Sequence, residues 1–263
     1  MLLGKSILGR DIDLYTLGEG AKSVLIVGAH HGAEYITASV LHFLIYYSLS
    51  SEGGELGISL SHLLKTYRLF IVPLLNPDGV SLCLEGIKPS PLYERQMKMA
   101  NEQGFEKWQA NARGVDLNHN YGFGFYEYKK IEREKGISPG RSLYSGEYPE
   151  SEPETRALVG LVKVISPKLI ISLHSQGEEI YYSPKTKRAD RVARFASATL
   201  GYKLSSATGT ACYGGFCDYT GYTLGIPSLT LELGRGENPL EDFWFPILCK
   251  RITAGLLRLI TAV

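Results

Sequence analysis

The chain has 263 residues, 44% of them hydrophobic, which is enough to bury a sizeable core as one domain spanning 1–263. Its net charge is +1, so no long-range field favours nucleic acid or an anionic membrane as a partner. The opening "MLLGKSILGRDIDLYTLGEG" is broken by Gly and charges too early for a secretion signal. No apolar run reaches the ~20 clean residues of a membrane span.

In chain order, "SILGRDIDLYTLG" reads as a first hairpin and "SVLIVGA" as a buried strand running into "GAHHGAEY". A helix is expected from Glu34 to about Ser50, then a second buried strand, "YRLFIVPLL". From Cys83 to Pro149 the composition changes to charged, Gly-, Tyr- and Asn-rich sequence. Within it "SPLYERQMKMANEQG" predicts a helix capped by Ser90 with Pro91 in its first turn. The stretch over 122–140, "GFGFYEYKKIEREKGISPG", reads as a long exposed loop that could form a rim or lid. Beyond it come a helix over Glu152–Ile165, the strand "KLIISL", a helix over Arg188–Leu200, the strand "IPSLTLEL" and a closing helix from about Pro239. Non-alternating Val, Ile and Leu mark strands buried on both faces. The fold expected is α/β: a single-domain, mixed, mostly parallel twisted sheet with helices on both faces.

In such sheets ligands collect at the carboxyl ends of the strands. His31, Asn76, His174 and Glu232 each fall at or just after a strand end. The HxxE spacing of His31 and Glu34 is weak alone, at about a third of a chance match per chain, and a merely polar turn would also explain it. Three features favour a metal. A strand running into a helix presents positions i and i+3 on one side. A catalytic zinc takes three protein ligands and one open position, and "ISLHSQG" offers His174 as the third. Glu232 lies in the apolar strand "SLTLELG", where a carboxylate is costly unless it is employed, and a base beside zinc-bound water completes a hydrolytic centre. His30, adjacent to His31, diverges from it and reads as structural.

Six segments, "HGAE", "NPDG", "NARGVDLNHN", "SEPET", "SLHSQG" and "TLELG", occur in an order that resembles the zinc carboxypeptidases of the carboxypeptidase A type. The resemblance implies one zinc ion held by His31, Glu34 and His174, with Glu232 as general base. It implies Asp116 as the acceptor that fixes the other ring nitrogen of His31, and Asn118 in the subsite beyond the scissile bond. Two departures matter. His119 stands where the family carries an arginine that clamps the substrate's terminal carboxylate, and histidine is a poorer bidentate partner. The family's oxyanion-stabilising arginine falls by spacing at Gln109, which makes Arg113 in the same segment the replacement candidate. Cys217 occupies the specificity-pocket position, Tyr213 lies near the spacing of a mobile tyrosine, and Arg235 is a candidate carboxylate partner.

"SLHSQGEEIYY" and "ELGRGENPL" resemble the bacterial γ-D-glutamyl-L-diamino-acid peptidases in particular, which cut peptidoglycan stem peptides between D-glutamate and diaminopimelate. The expected substrate is thus a small peptide or muropeptide. The rivals are a conventional carboxypeptidase, an N-acyl amino acid deacylase and a zinc-binding protein that has lost catalysis. Cys83, Cys212, Cys217 and Cys249 form no CxxC or regular framework, so free thiols and a cytoplasmic setting are expected, with a Cys212–Cys217 disulfide the less favoured alternative.

Overall fold

The computed structural model describes residues 1–50, 59–86, 98–99 and 104–263. The four apolar runs become β4 (Lys22–Val27), β5 (Tyr67–Val72), β6 (Leu169–Ser175) and β9 (Ser228–Leu233). With β3 (Tyr15–Leu17), β7 (Glu179–Tyr182) and β8 (Lys203–Ser205) they form, among the described residues, a seven-stranded sheet of order β3-β5-β4-β6-β9-β7-β8. The central four run parallel, whereas β3 and β7 run antiparallel to β5 and β9. The sheet is therefore mixed and mostly parallel, as its patterning predicts. Every residue of β6 is buried, the mark of a strand covered on both faces. On one face lie α1 (Ile36–Leu49), α2 (Leu60–Thr66), α6 (Lys187–Leu200) and α7 (Trp244–Ile260), through Leu41, Leu63, Val192 and Ile252. On the other lies α5 (Pro153–Ile165), through Leu158 and Val162. Each such side chain contributes roughly 1.5–3 kcal/mol by leaving water.

The expected hairpin is present as β1 (Leu2–Lys5) and β2 (Asp11–Asp13). Its turn is anchored by the "NPDG" segment, which opens α3 (Pro77–Glu85). Asn76 caps that helix by accepting from the Gly79 N–H at 2.8 Å, and Pro77 fits the first turn because it has no N–H to leave unpaired. Buried Asp78 accepts from Ser6 Oγ, the Leu8 N–H and Arg10 Nη1 at 2.8–2.9 Å.

Glu154 sits behind the same hairpin, and the Ile7 N–H donates to it at 3.2 Å. Burial, then repulsion from Glu152 and Asp78, outweighs that bond and pushes its carboxyl up to about 7. The unfolded side chain ionises near the ordinary 4.5, so the folded protein binds the extra proton between these values. This contribution to stability is complete at low pH and is lost as pH rises from about 4.5 through 7, to a limit of about 3 kcal/mol. Glu154→Gln, fixed in the neutral form, should therefore gain on the native chain between pH 5 and pH 8 by up to that amount. Denaturant unfolding at both pH values measures it, and an unchanged difference would contradict the account.

The stretch read as a long loop instead contains α4 (Phe125–Lys135). Phe125, Tyr128 and Glu132 form its buried stripe, and left-handed glycines, Gly124 and Gly136, bound it. The first helix begins two residues later than expected, after a 3-10 turn over Gly32–Glu34, and the last begins at Trp244 rather than near Pro239. The start of the helix expected at Ser90 and Pro91 lies outside the described residues. The four cysteines are free thiols, and no described helix is long and apolar enough to cross a membrane.

Candidate metal centre

The chain leaves β4 at Val27 and turns over α3 before α1 begins. Gly32 makes this close approach possible: a Cβ there would lie 2.3 Å from the Gly79 carbonyl oxygen and 2.6 Å from that of Trp108. The Gly32 N–H donates to the Gln109 carbonyl at 3.0 Å, and the Ala29 N–H to Thr37 Oγ1 at 2.8 Å. The 3-10 turn that follows sets His31 and Glu34 on one side, as the i and i+3 spacing anticipates.

β6 delivers the third group. His31 Nδ1 lies 2.8 Å from Glu34 Oε1, and His174 Nδ1 lies 3.0 Å from Glu34 Oε2. One donor atom from each of His31, Glu34 and His174 falls within 4.8 Å of the others, the only such group of three among the described residues. Two imidazoles and a carboxylate form the donor set of a catalytic zinc site, so the residues fit that ion. Asp116 reaches His31 Nε2 at 3.0 Å, which leaves Nδ1 facing Glu34. Asp116 is itself fixed by the Asn118 and Leu143 N–H groups at 3.1 and 2.9 Å.

Electrostatics follow from the packing. Burial opposes charge on His31, but Glu34 and Asp116 on either side carry it well above the ordinary histidine range. Burial likewise raises the Glu34 carboxyl, yet His31 and His174 pull it down to about 2. Asp116 stays ionised by the same competition, well below the usual carboxylate range. His30 is buried and neutral: burial, then the nearby His174, lowers it. Its Nε2 lies 3.0 Å from Tyr121 Oη, and its ring stacks on His174 at 5.3 Å. That is the structural role read from the sequence.

Glu232 pairs in register with His174 on β6 and with Glu179 on β7, so its side chain shares a face with both. It is half-buried. Burial and then the charges of Glu34 and Glu179 hold its carboxyl well above the ordinary range. A carboxyl that resists ionisation beside a cation-binding triad is suited to trading a proton.

The other expected residues fare differently. Asn118 accepts from the Phe216 N–H at 3.1 Å, joining the "GVDLNHN" turn to the specificity segment. Cys217 is buried against Thr230 and Ser172, and burial pushes its thiol up to about 12. Tyr213 holds a left-handed backbone, and its ring rests against Gly124. His119 is buried, stacked on Tyr128 at 4.1 Å and 8°, and its Nδ1–H donates to the Tyr213 carbonyl at 3.1 Å. Burial lowers it, only partly opposed by Asp116. Arg235 is exposed and paired with Glu178 at 2.6 Å.

The Arg113 guanidinium is engaged by Glu152 at 3.0 Å and the Ser151 carbonyl at 3.3 Å. The main chain that adjoins the metal turn is that of Gln109. Asn238, which the sequence gave no reason to single out, donates to Glu34 Oε1 at 3.4 Å.

Residues 1–248 match the family model described as zinc carboxypeptidase. An uncharacterized protein, YqgT of Bacillus subtilis, is 34% identical over 97% of this chain and 69% of its own length. The gamma-D-glutamyl-L-diamino acid endopeptidase 1 of Lysinibacillus sphaericus is 28% identical over 90% of this chain, which spans 61% of that protein. The solved murein-tripeptide amidase MpaA of Escherichia coli O157 superposes with a TM-score of 0.60 at 20% identity, covering 98% of this chain and 91% of that one, a likeness of fold. The sheet, the His-Glu-His centre and a family match that runs through both lead to one conclusion: the chain is a zinc metallopeptidase of the zinc carboxypeptidase family.

Proposed function

We propose that this peptidase hydrolyses the γ-D-glutamyl–diaminopimelate amide bond of peptidoglycan stem peptides. The observation that carries this reading is His119. A conventional carboxypeptidase holds the substrate's terminal carboxylate on a fixed positive charge, and here the position has a buried, neutral imidazole turned onto Tyr128 and the Tyr213 carbonyl. A site without that clamp favours substrates recognised by groups other than a free chain end. The relative from Lysinibacillus sphaericus, named for such a bond, supports the same choice.

In this reading His31, Glu34 and His174 hold the ion, and Asp116 keeps the His31 ring in the orientation that presents Nδ1. Zinc, when bound, supplies Lewis acidity and lowers the pKa of a water it holds to about 7. Glu232 takes the proton from the attacking water and returns it to the leaving nitrogen of diaminopimelate. Its environment keeps the protonated form accessible for that second transfer. Asn118 and Cys217 line the leaving-group side, the small uncharged Cys217 matching neither a purely basic nor a large aromatic side chain; that of diaminopimelate, ending in an amine and a carboxylate together, is neither. His119 and Tyr213 close that wall through their mutual contact. Arg235 is exposed, and its ion pair with Glu178 is of the kind worth about 0–1 kcal/mol, so a substrate carboxylate can compete for it.

Mass-spectrometric product mapping tests the proposal. The zinc-loaded protein should split L-Ala-γ-D-Glu-diaminopimelate into L-Ala-D-Glu and diaminopimelate, and should still cut when the diaminopimelate carries a further residue. Ordinary peptides with free carboxyl ends should remain whole. An intact tripeptide alongside trimmed ordinary peptides would assign the chain to conventional carboxypeptidase action.

A further inference from the structure

The general base lies on β9, and six residues further along the same chain segment comes Asn238. After Glu232 the chain turns back over the end of β6, where the Gly177 N–H donates to the Gly234 carbonyl at 2.9 Å, and Leu240 re-enters the core. Between those two anchors Asn238 makes three contacts. Its Nδ2 donates to the Ser175 carbonyl at 2.5 Å and to Glu34 Oε1 at 3.4 Å, and its Oδ1 accepts from Ser175 Oγ at 2.7 Å.

The chemistry of those partners fixes the orientation of the amide. The Ser175 carbonyl and an ionised Glu34 can only accept, so the atom facing them has to be the NH₂ group. The oxygen then faces the Ser175 hydroxyl, which donates. A flipped amide would set oxygen against two acceptors and lose both of those bonds, while the Ser175 hydroxyl could pair with either end of the amide. Meanwhile the Ser175 N–H donates to Glu34 Oε2 at 3.3 Å. Each oxygen of the Glu34 carboxylate thus has a donor besides the imidazole it faces, Oε2 from the Ser175 N–H and Oε1 from Asn238.

We propose that Asn238 is a positioning residue of the metal centre, holding the Glu34 carboxylate, with Ser175, in the orientation that faces the two histidines. It acts through Glu34 and not on substrate. The segment that carries the base therefore also braces a ligand, tying the placement of one to that of the other. The proposal rests on the His31–Glu34–His174 reading of the metal centre and is independent of the substrate proposed above.

Zinc affinity tests it, measured on the full chain by competition with a chromophoric chelator. Asn238→Leu keeps the side-chain volume but has no donor. It should weaken zinc about 10–100-fold, the usual cost of losing a group that orients a ligand. The melting temperature of the zinc-free protein should shift by only a few degrees, which separates positioning from general destabilisation. Ser175→Ala removes the hydroxyl that donates to Asn238 Oδ1 but leaves the Ser175 carbonyl, and should weaken zinc by a smaller factor, about threefold or more. Zinc affinity within twofold of native in Asn238→Leu overturns the proposal. If that variant does not fold, native affinity in Ser175→Ala overturns it. A native chain that takes up no zinc would instead remove the metal centre on which it rests, and the same titration reports that separately.

Discussion

Glu232→Gln is expected to lower kcat by about 10³-fold or more while zinc uptake stays at one ion per chain. The substitution preserves volume and removes only the capacity to accept and return a proton, a role worth about 10²–10⁴ in rate. Glu232 is not among the three residues whose donor atoms cluster, so the metal should bind without it. It nonetheless shares a sheet face with His174, where burial and the charges of Glu34 and Glu179 raise its carboxyl. Those carboxylates repel a negative charge on Glu232, so the neutral variant should not be destabilised, and its melting temperature should equal or exceed the native value. Steady-state turnover with zinc stoichiometry measured on the same sample decides the matter. Turnover within tenfold of native would remove Glu232 from the chemistry. Lost zinc would show that it acts on the metal instead.

The metal centre was legible because its residues sit where topology concentrates them. Parallel strands present their carboxyl ends along one edge, and His31, His174 and Glu232 could be ordered along that edge from local patterns of apolar residues. The HxxE turn added Glu34 by spacing alone. What could not be read depended on which way a side chain turns when several remote segments compete for it. Arg113 pairs with Glu152, a buried carboxylate 39 positions further on that no local pattern connects to it. His119 is turned by Tyr128, which lies on a helix the composition disguised. With charges on most of its surface and glycines at both ends, α4 buries only the stripe of Phe125, Tyr128 and Glu132, of which two are apolar. Asn238 lies in a loop, and nothing in "GRGENPL" announces that it reaches Glu34, 204 positions earlier.

His174→Phe should lose zinc altogether at concentrations that saturate the native protein, a fall in affinity beyond about 100-fold. Groups that merely orient a ligand cost about 10–100-fold when removed, so one of only three protein donors must cost more. Phenylalanine is preferred to alanine because His174 is 2% exposed and its ring stacks on His30 at 5.3 Å. Truncation there would open a cavity and destabilise by about 2–5 kcal/mol on the scale of core deletions, blurring the readout. The buried His174 Nε2 makes no hydrogen bond, so an apolar ring edge at that point leaves no partner unsatisfied. Glu34 does lose a neighbour at Oε2, but the Ser175 N–H still donates to that oxygen. The zinc-free variant should therefore melt close to the zinc-free native chain, and the stabilisation that zinc gives the native protein should vanish from the variant. Thermal melts with and without zinc, paired with chelator competition, measure both. If His174→Phe still took up one zinc with near-native affinity, the ion would have to be held elsewhere, and the convergence of β4, β6 and β9 on this site would need another purpose.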